Sequence, residues 1–449
     1  MSAFEKFREV EERYDTESIK YDGIQLWAYF RIYYFDKYFS KLSKWEKSLR
    51  PSILEVFKAF TWGRFNLKTY KNIVITSSDQ RKMIDGELTD RLDLINGFSD
   101  NSLFVEFPSP QQTSKGLIKS KNAYSKYWWY LFEIIYQKLS FRNLNFKYNI
   151  LSEIQKELEV NVDDEYLFKR FLAQYSVTKW FLKKHKIKTM FITSAYTNMA
   201  RVLAAKHLKI NVIEMQHGLI SAQHVGYNTM ANADNRLLPN QVWVYGKNDR
   251  LLLSEGNVVT KEKIKVIGQF YIDYLKRKPL KRIFQDAHQK QFFCFTAQDV
   301  EIESTIEYLN FIQESFPEAL IVFLHRKNSI DEMYKRGLNP NIKAKEDIDT
   351  YIYLKNCDIH FTIYSTCALE SIALGTPSIL FDFNGLASNQ FKEVENNSKF
   401  LRIVQSKELL ISSITELIEA DKKEAANSAD FYFNSNNFVD NINKAFNSL

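Results

Sequence analysis

The stretch that most constrains this chain is Asp358 to Phe381, reading DIHFTIYSTCALESIALGTPSILF. Ile359 to Ile363 is rich in β-branched and aromatic residues, the make-up of a buried strand. Tyr364-Ser365-Thr366 breaks that run with two hydroxyls suited to a helix N-terminus. Ala368 to Leu374 reads as a short helix with Leu369, Ile372 and Ala373 on one face. Gly375 and Pro377 stop it, and Ser378 to Phe381 resumes as a strand. The helix start then lies at the carboxyl end of a parallel strand and is lined with hydroxyls, an arrangement that receives anions.

The same alternation appears elsewhere. Asn72 to Thr76 and Leu103 to Phe107 read as strands, the second ended by Pro108 and Pro110. Thr189 to Thr193, a helix from Asn198 to Leu208 and Ile210 to Met215 form a βαβ unit, whose strands are parallel with a right-handed crossover. Gln241 to Tyr245 and Lys265 to Ile267 add two short strands. This first unit spans 1–275. Lys276 to Gln291, KRKPLKRIFQDAHQKQ, is charged, contains a proline and reads as a linker. A second unit, 292–421, opens with strand Phe292 to Thr296, then a helix from Glu301 to Ser315, strand Leu320 to Leu324 and a helix from Ile348 to Asn356. A helix from Ser406 to Asp421 closes it. The polar tail 422–449 keeps Phe431, Phe433, Phe438, Ile442 and Phe446, and is expected to pack back as a closing helix. At 449 residues two domains are expected, each α/β with a parallel sheet of Rossmann type.

Aromatic residues make up 15% of the chain, and they gather in predicted helices. Trp27, Phe30, Tyr34 and Tyr38 recur at helical spacing, which suits a core face or a face for a lipid or partner. Residues 115–186 are helical by period. Within them Lys121 to Tyr148 interleaves Lys and Arg with Tyr127-Trp128-Trp129-Tyr130-Leu131-Phe132. Such a stretch suits an anionic membrane surface, or an interior from which lysines snorkel. The net charge of +7 admits an anionic partner without choosing one, and it forms no stripe of the kind a nucleic acid needs. Cys294, Cys357 and Cys367 show no paired or zinc spacing. The start, MSAFEKFREVEERY, lacks an apolar export core, and no apolar run reaches the ~18 residues of a membrane span. A cytoplasmic location is therefore expected, with the cytoplasmic face of the inner membrane as a candidate site within it.

The chemistry gathers at predicted strand ends. Glu214-Met215-Gln216-His217-Gly218-Leu219-Ile220 is followed closely by His224-Val225-Gly226-Tyr227. His217 falls at the carboxyl end of a strand, where open parallel sheets build their sites. A histidine there suits a general base toward a hydroxyl, or a donor to a leaving oxygen. His224 is the second candidate, with Gln216, Gly218 and Tyr227 supporting the loop or an acceptor; Gly218 permits close approach to a ligand. In the second unit Gln298 ends one strand, and His325-Arg326-Lys327 ends another with positive charge. Ser365, Thr366 and Glu370 belong to the third end. Glu370 lies four residues after Thr366, one too many for a capping box, so a ligand is the alternative partner for its carboxylate. No G-x-x-x-x-G-K-[ST] and no G-x-G-x-x-G is present, against an ATPase or a dinucleotide oxidoreductase.

Ser365 to Ile379, STCALESIALGTPSI, is similar to the donor-nucleotide segment of GT-B glycosyltransferases that build bacterial capsule and lipopolysaccharide. Glu214 to Ile220 with His224 to Tyr227, Asp22 to Trp27 (DGIQLW) and Arg81 to Gly86 (RKMIDG) also resemble that surface-polysaccharide group. The resemblance implies two Rossmann-like domains facing a cleft, a nucleotide-sugar as substrate, a glycan or glycolipid acceptor and no resident cofactor. It implies that Ser365 and Thr366 bind donor phosphate, that Glu370 binds the ribose and that His217 sits at the reaction centre. One departure stands out: relatives often carry a Lys-Pro-His-Pro-like turn where this chain has Leu324-His325-Arg326-Lys327-Asn328. Asp347-Ile348-Asp349 matches the metal-binding Asp-x-Asp of another glycosyltransferase class, but it sits at a predicted helix start, where acids suit the helix dipole. No metal site is expected. The leading expectation is thus metal-independent sugar transfer from a nucleotide-sugar, a CMP-linked acidic sugar among the candidate donors. The alternatives are a CDP-polyol phosphotransferase, a nucleotide-sugar epimerase of the same fold, or a membrane-associated glycan-binding scaffold without turnover.

Overall fold

The structure is a computed structural model. It describes residues 3–42, 60–62, 68–108, 115–141, 144, 146–230, 232–279, 291–298, 300–325, 330–346, 348–434 and 437–449. Two parallel sheets dominate it. The first has seven strands: β1 (Asn72–Ser77), β2 (Ser102–Phe107), β3 (Ala123–Ser125), β4 (Thr189–Ile192), β5 (Asn211–Met215), β6 (Gln241–Val244) and β7 (Ile264–Val266). Their order is β7-β6-β5-β4-β1-β2-β3, with every pairing parallel. The second has six: β8 (Gln291–Thr296), β9 (Ala319–Leu324), β10 (Lys343–Ala344), β11 (Ile359–Thr362), β12 (Ser378–Phe381) and β13 (Leu401–Val404). These run in the order β10-β9-β8-β11-β12-β13, again all parallel.

The central strands are buried on both faces, as continuous apolar runs such as Ile73-Val74-Ile75 and Leu320 to Leu324 require. Because each sheet is parallel, the carboxyl ends of its strands lie along one edge, and the loops carrying the candidate residues leave from there. The expected α/β architecture of two Rossmann-like domains is present.

Three details differ from the sequence reading. Residues 115–186 are not helical throughout: Ala123–Ser125 forms the edge strand β3, and helices Tyr127–Ser140, Asn149–Leu158 and Asp164–His185 follow. Three residues are too short to show a period, so only their pairing with β2 defines them. Helix Phe270–Arg277 runs into the segment read as linker, whose residues 280–290 lie outside the described set. The tail holds two helices, Lys422–Ser428 and Phe438–Asn447, in place of one.

The last helix crosses back to the first domain. Phe446 packs edge-on against Phe98 and stacks with Phe191, and Phe438 meets Phe270. The crossing is close at Gly246, where an added Cβ would stand 2.1 Å from the carbonyl oxygen of Tyr432. Only glycine admits that contact. Both sheets therefore share one apolar core that includes Trp243, Cys294 and Phe433.

The N-terminal helices cap the first domain. Trp27, Phe30 and Tyr34 are buried, so this aromatic face is core and not a lipid surface. Arg31 sits among them, paired with buried Glu11. The RKMIDG motif is also structural at its first residue. Arg81 is enclosed by Glu106 and Asp93 and donates to Ser120, which fixes the hairpin Lys82–Ile84 with Glu87–Thr89. Lys82 then lies over the rings of Tyr271 and Tyr351, one from each domain.

Candidate functional site

His217 is the most exposed of the candidate residues in the first domain. It lies two residues past the end of β5. The hydroxyl of Ser194, two residues past the end of β4, lies 3.1 Å from its Nε2 and 3.2 Å from its Nδ1. Ser194 is a non-glycine residue in the left-handed region at φ 54°. Such a conformation costs of order 1 kcal/mol and recurs at functional sites. Beneath the ring, buried Arg91 donates to the carbonyl of Gln216 and, at 3.0 Å, to the side chain of Gln80. The walls of the cleft and the nearby Arg91 charge push the His217 imidazole down to about 4, and Asp79 partly opposes them. The ring is open to solvent at its edge, so these walls act less completely than a closed core; either way it is neutral at pH 7 and free to take a proton.

His224 is half-buried and held differently. Its Nδ1 accepts from the backbone N–H of Gly226 at 3.1 Å, which leaves the proton of the neutral ring on Nε2. It is flanked by the rings of Tyr196 and Tyr227, and its pKa is also pushed down to about 4, by burial and then by His217. In this tautomer the Nε2 hydrogen of His224 is available to donate, while its Nδ1 lone pair is engaged by Gly226. Gly226 is required here, because a Cβ would meet the Tyr196 ring at 2.4 Å.

The residues expected to support the loop or an acceptor, Gln216 and Tyr227, are engaged in the protein's own hydrogen bonds. Buried Gln216 accepts from the Tyr245 N–H at 2.6 Å and donates to the Gly218 carbonyl at 2.9 Å, so both ends of its amide are engaged. Tyr227 donates to buried Glu214 at 2.8 Å. Burial raises Glu214 to about 7 against that bond, and raises Asp249, which caps Gly246, to about 7 as well. Around Gly218 no protein atom lies within 4 Å of an added Cβ, so this is open space in the cleft.

In the second domain Gln298 accepts from the backbone N–H of Tyr364 at 2.8 Å and ties the ends of β8 and β11 together. Ser365, not Thr366, caps the helix Cys367–Ala373, its Oγ accepting from Cys367 at 3.3 Å. Glu370, which capping did not explain, accepts from the hydroxyl of Tyr351 at 2.8 Å. His325 follows β9, and its pKa is lowered by burial and by Lys345. Arg326 and Lys327 lie outside the described residues, as does Asp347. Among the described residues no cluster of His, Cys, Asp or Glu is arranged to hold a metal ion.

The two halves meet. Tyr245, at the end of β6, has Arg91 over its ring, and Glu370 acts on its hydroxyl from the other domain. A cavity of about 230 Å³ opens between the domains, lined by Phe4, Phe35, Phe39 and Val225 with His224 and Tyr364 at its polar edge. Ser194, Arg91, Tyr245 and Tyr351 were not singled out in the sequence. Only Ser194 carried a signal, as a hydroxyl just past a strand end.

No family model matches the sequence, and no curated protein matches it. Solved structures do match in shape. The UDP-GlcNAc 2-epimerase of Neisseria meningitidis, captured with UDP-GlcNAc, aligns with a TM-score of 0.52 at 16% identity, covering 84% of this chain and 99% of its own. The UDP-GlcNAc 2-epimerase of Methanocaldococcus jannaschii gives 0.53 at 14%, covering 84% and 99%. The calicheamicin glycosyltransferase CalG4 gives 0.53 at 10%, covering 84% and 98%. This is the GT-B-like fold. At these identities the likeness concerns the fold alone.

Proposed function

We propose that the protein is a glycosyltransferase that moves a sugar from a nucleotide-sugar to a surface-glycan acceptor of the capsule or lipopolysaccharide kind, at the cytoplasmic face of a membrane. His217 is the base that takes the acceptor proton, and the His224 Nε2 hydrogen orients the acceptor or a departing oxygen. Ser365 and Thr366 face the donor phosphates. Glu370 exchanges its Tyr351 partner for ribose hydroxyls. His325, with Arg326 and Lys327, supplies the remaining donor contacts.

The observation that carries transfer over its rivals is the apolar cavity beside His224. Its lining suits the hydrocarbon part of a glycolipid, and it adjoins both a candidate catalytic residue and the loop leading to Ser365. Epimerisation is the second reading, favoured by the shape match to two epimerases. An epimerase needs no seat for an acceptor. Filling the cavity tests the choice. Gln390→Trp is expected to raise KM for an alkyl glycoside acceptor about tenfold, on the scale of a few buried methylenes, with nucleotide affinity unchanged by calorimetry. Unaltered acceptor KM would remove the cavity from the site.

A further inference from the structure

Helix Tyr127–Ser140 departs from the rest of the surface. Its inward face is fixed by Trp129, which meets the ring of Phe181 at 4.7 Å, and by Glu133, which pairs with buried Arg201. Its outward face is apolar as well. Leu139 is 79% exposed and Ile134 51%, with Leu131, Phe132 and Ile135 exposed beside them. A surface helix ordinarily turns such residues inward, and a contiguous exposed group of them marks an interaction surface.

The charges indicate the occupant. Glu133 is the only acid of this helix, and it points inward; the outward face adds Lys138. Helix Asp164–His185 lies alongside, antiparallel: Gln137 donates to the Tyr166 carbonyl near one end, and Trp129 meets Phe181 near the other. It exposes Tyr166, Trp180, Lys183 and Lys184. Exposed aliphatic residues along the helix, the amphipathic rings of Tyr136, Tyr166 and Trp180 among them, and Lys138, Lys183 and Lys184 outnumbering the acids Asp163 and Glu165 match the boundary of a bilayer with anionic headgroups. Among the described residues no helix is long and apolar enough to cross a membrane, so the contact is one of lying on the surface.

We infer that Tyr127–Ser140 docks the protein on an anionic bilayer, with Leu131, Ile134, Ile135 and Leu139 at the acyl boundary and Lys138 among the phosphates. This deepens the proposed location, and its test reads no turnover, so it stands or falls apart from the reaction. The full chain is sedimented with vesicles of phosphatidylethanolamine and phosphatidylglycerol, and with vesicles of phosphatidylcholine alone. Binding to the first and not the second is expected. The exposed pair Ile135→Asp with Leu139→Asp should lower it by about a hundredfold while melting as the wild type does. Lys138→Glu should lower it about fivefold or more, and the effect should fade at high salt. Equal sedimentation with both vesicle types, or equal sedimentation of wild type and double variant, overturns the inference. So does a wild-type dimer in analytical ultracentrifugation that the double variant dissociates.

Discussion

His217 lies two residues past its strand, whereas Glu370 sits inside the helix Cys367–Ala373, and the two are held in different ways. The loop that carries His217 is held by buried groups. Arg91 holds the Gln216 carbonyl, Gln216 holds Tyr245 and Gly218, and Tyr227 holds Glu214. The ring lies within hydrogen-bond reach of the Ser194 hydroxyl, and the residue is exposed toward the cleft. Glu370 is the reverse: it is buried and already accepts from Tyr351. A rigid base with an open face suits a group that must meet a reacting atom in fixed geometry. A carboxylate with an exchangeable phenol partner suits a binding group that trades one hydroxyl for another.

The largest effect that can break this contrast comes from His217→Ala. Turnover should fall by 10²-fold or more, the range for loss of a general base, while nucleotide affinity by calorimetry changes by less than about twofold. Parallel losses in both would erase the division of labour. The wild-type pH profile sharpens it. A depressed His217 pKa keeps the base form present below the usual histidine value near 6.5. The acid limb of kcat/KM should therefore lie below 6.5, descending toward the value near 4.

Next in size is Glu370→Ala. It removes charge-assisted bonds of about 1.5–3 kcal/mol, so nucleotide Kd should rise about 10- to 100-fold. Tyr351→Phe deletes only the exchangeable partner, and leaves the affinity unchanged or improved.

The smallest effect is Glu214→Gln. Burial raises the folded-state pKa of Glu214 above its unfolded value near 4.5, so the folded protein holds that proton more tightly. Its contribution to stability is present below the unfolded value and is lost as pH rises toward about 7. Glutamine still accepts from Tyr227 without this penalty. The variant should melt at equal or higher temperature at pH 8, with less change between pH 5 and pH 8, and should keep its activity. A large loss of activity would move Glu214 from the framework into the chemistry.

Much of the fold was legible because parallel strands buried on both faces leave continuous apolar runs, as Asn72 to Thr76 and Leu320 to Leu324 do. β3 was not, since a three-residue edge strand is defined by its neighbour. In the site, His217 stood out by its place after a predicted strand, and Glu370 as a helix acid at a spacing that capping does not explain. Arg91 and Tyr351 did not: each acts through a partner far along the chain, Gln216 and Glu370, and nothing local marks such pairs. For Gln216 and Tyr227, expected to support the loop or an acceptor, the sequence did not show which, because their partners Tyr245 and Glu214 lie outside the motif or across the loop.

Product mass tests the central claim most directly. The protein is incubated with UDP-, GDP-, CMP- and dTDP-sugars, with and without an alkyl glycoside acceptor. The account predicts an acceptor heavier by one sugar residue, free nucleotide released in equal amount, and neither with His217→Ala. A nucleotide-sugar that keeps its mass, changes its stereochemistry and needs no acceptor would contradict transfer and establish epimerisation.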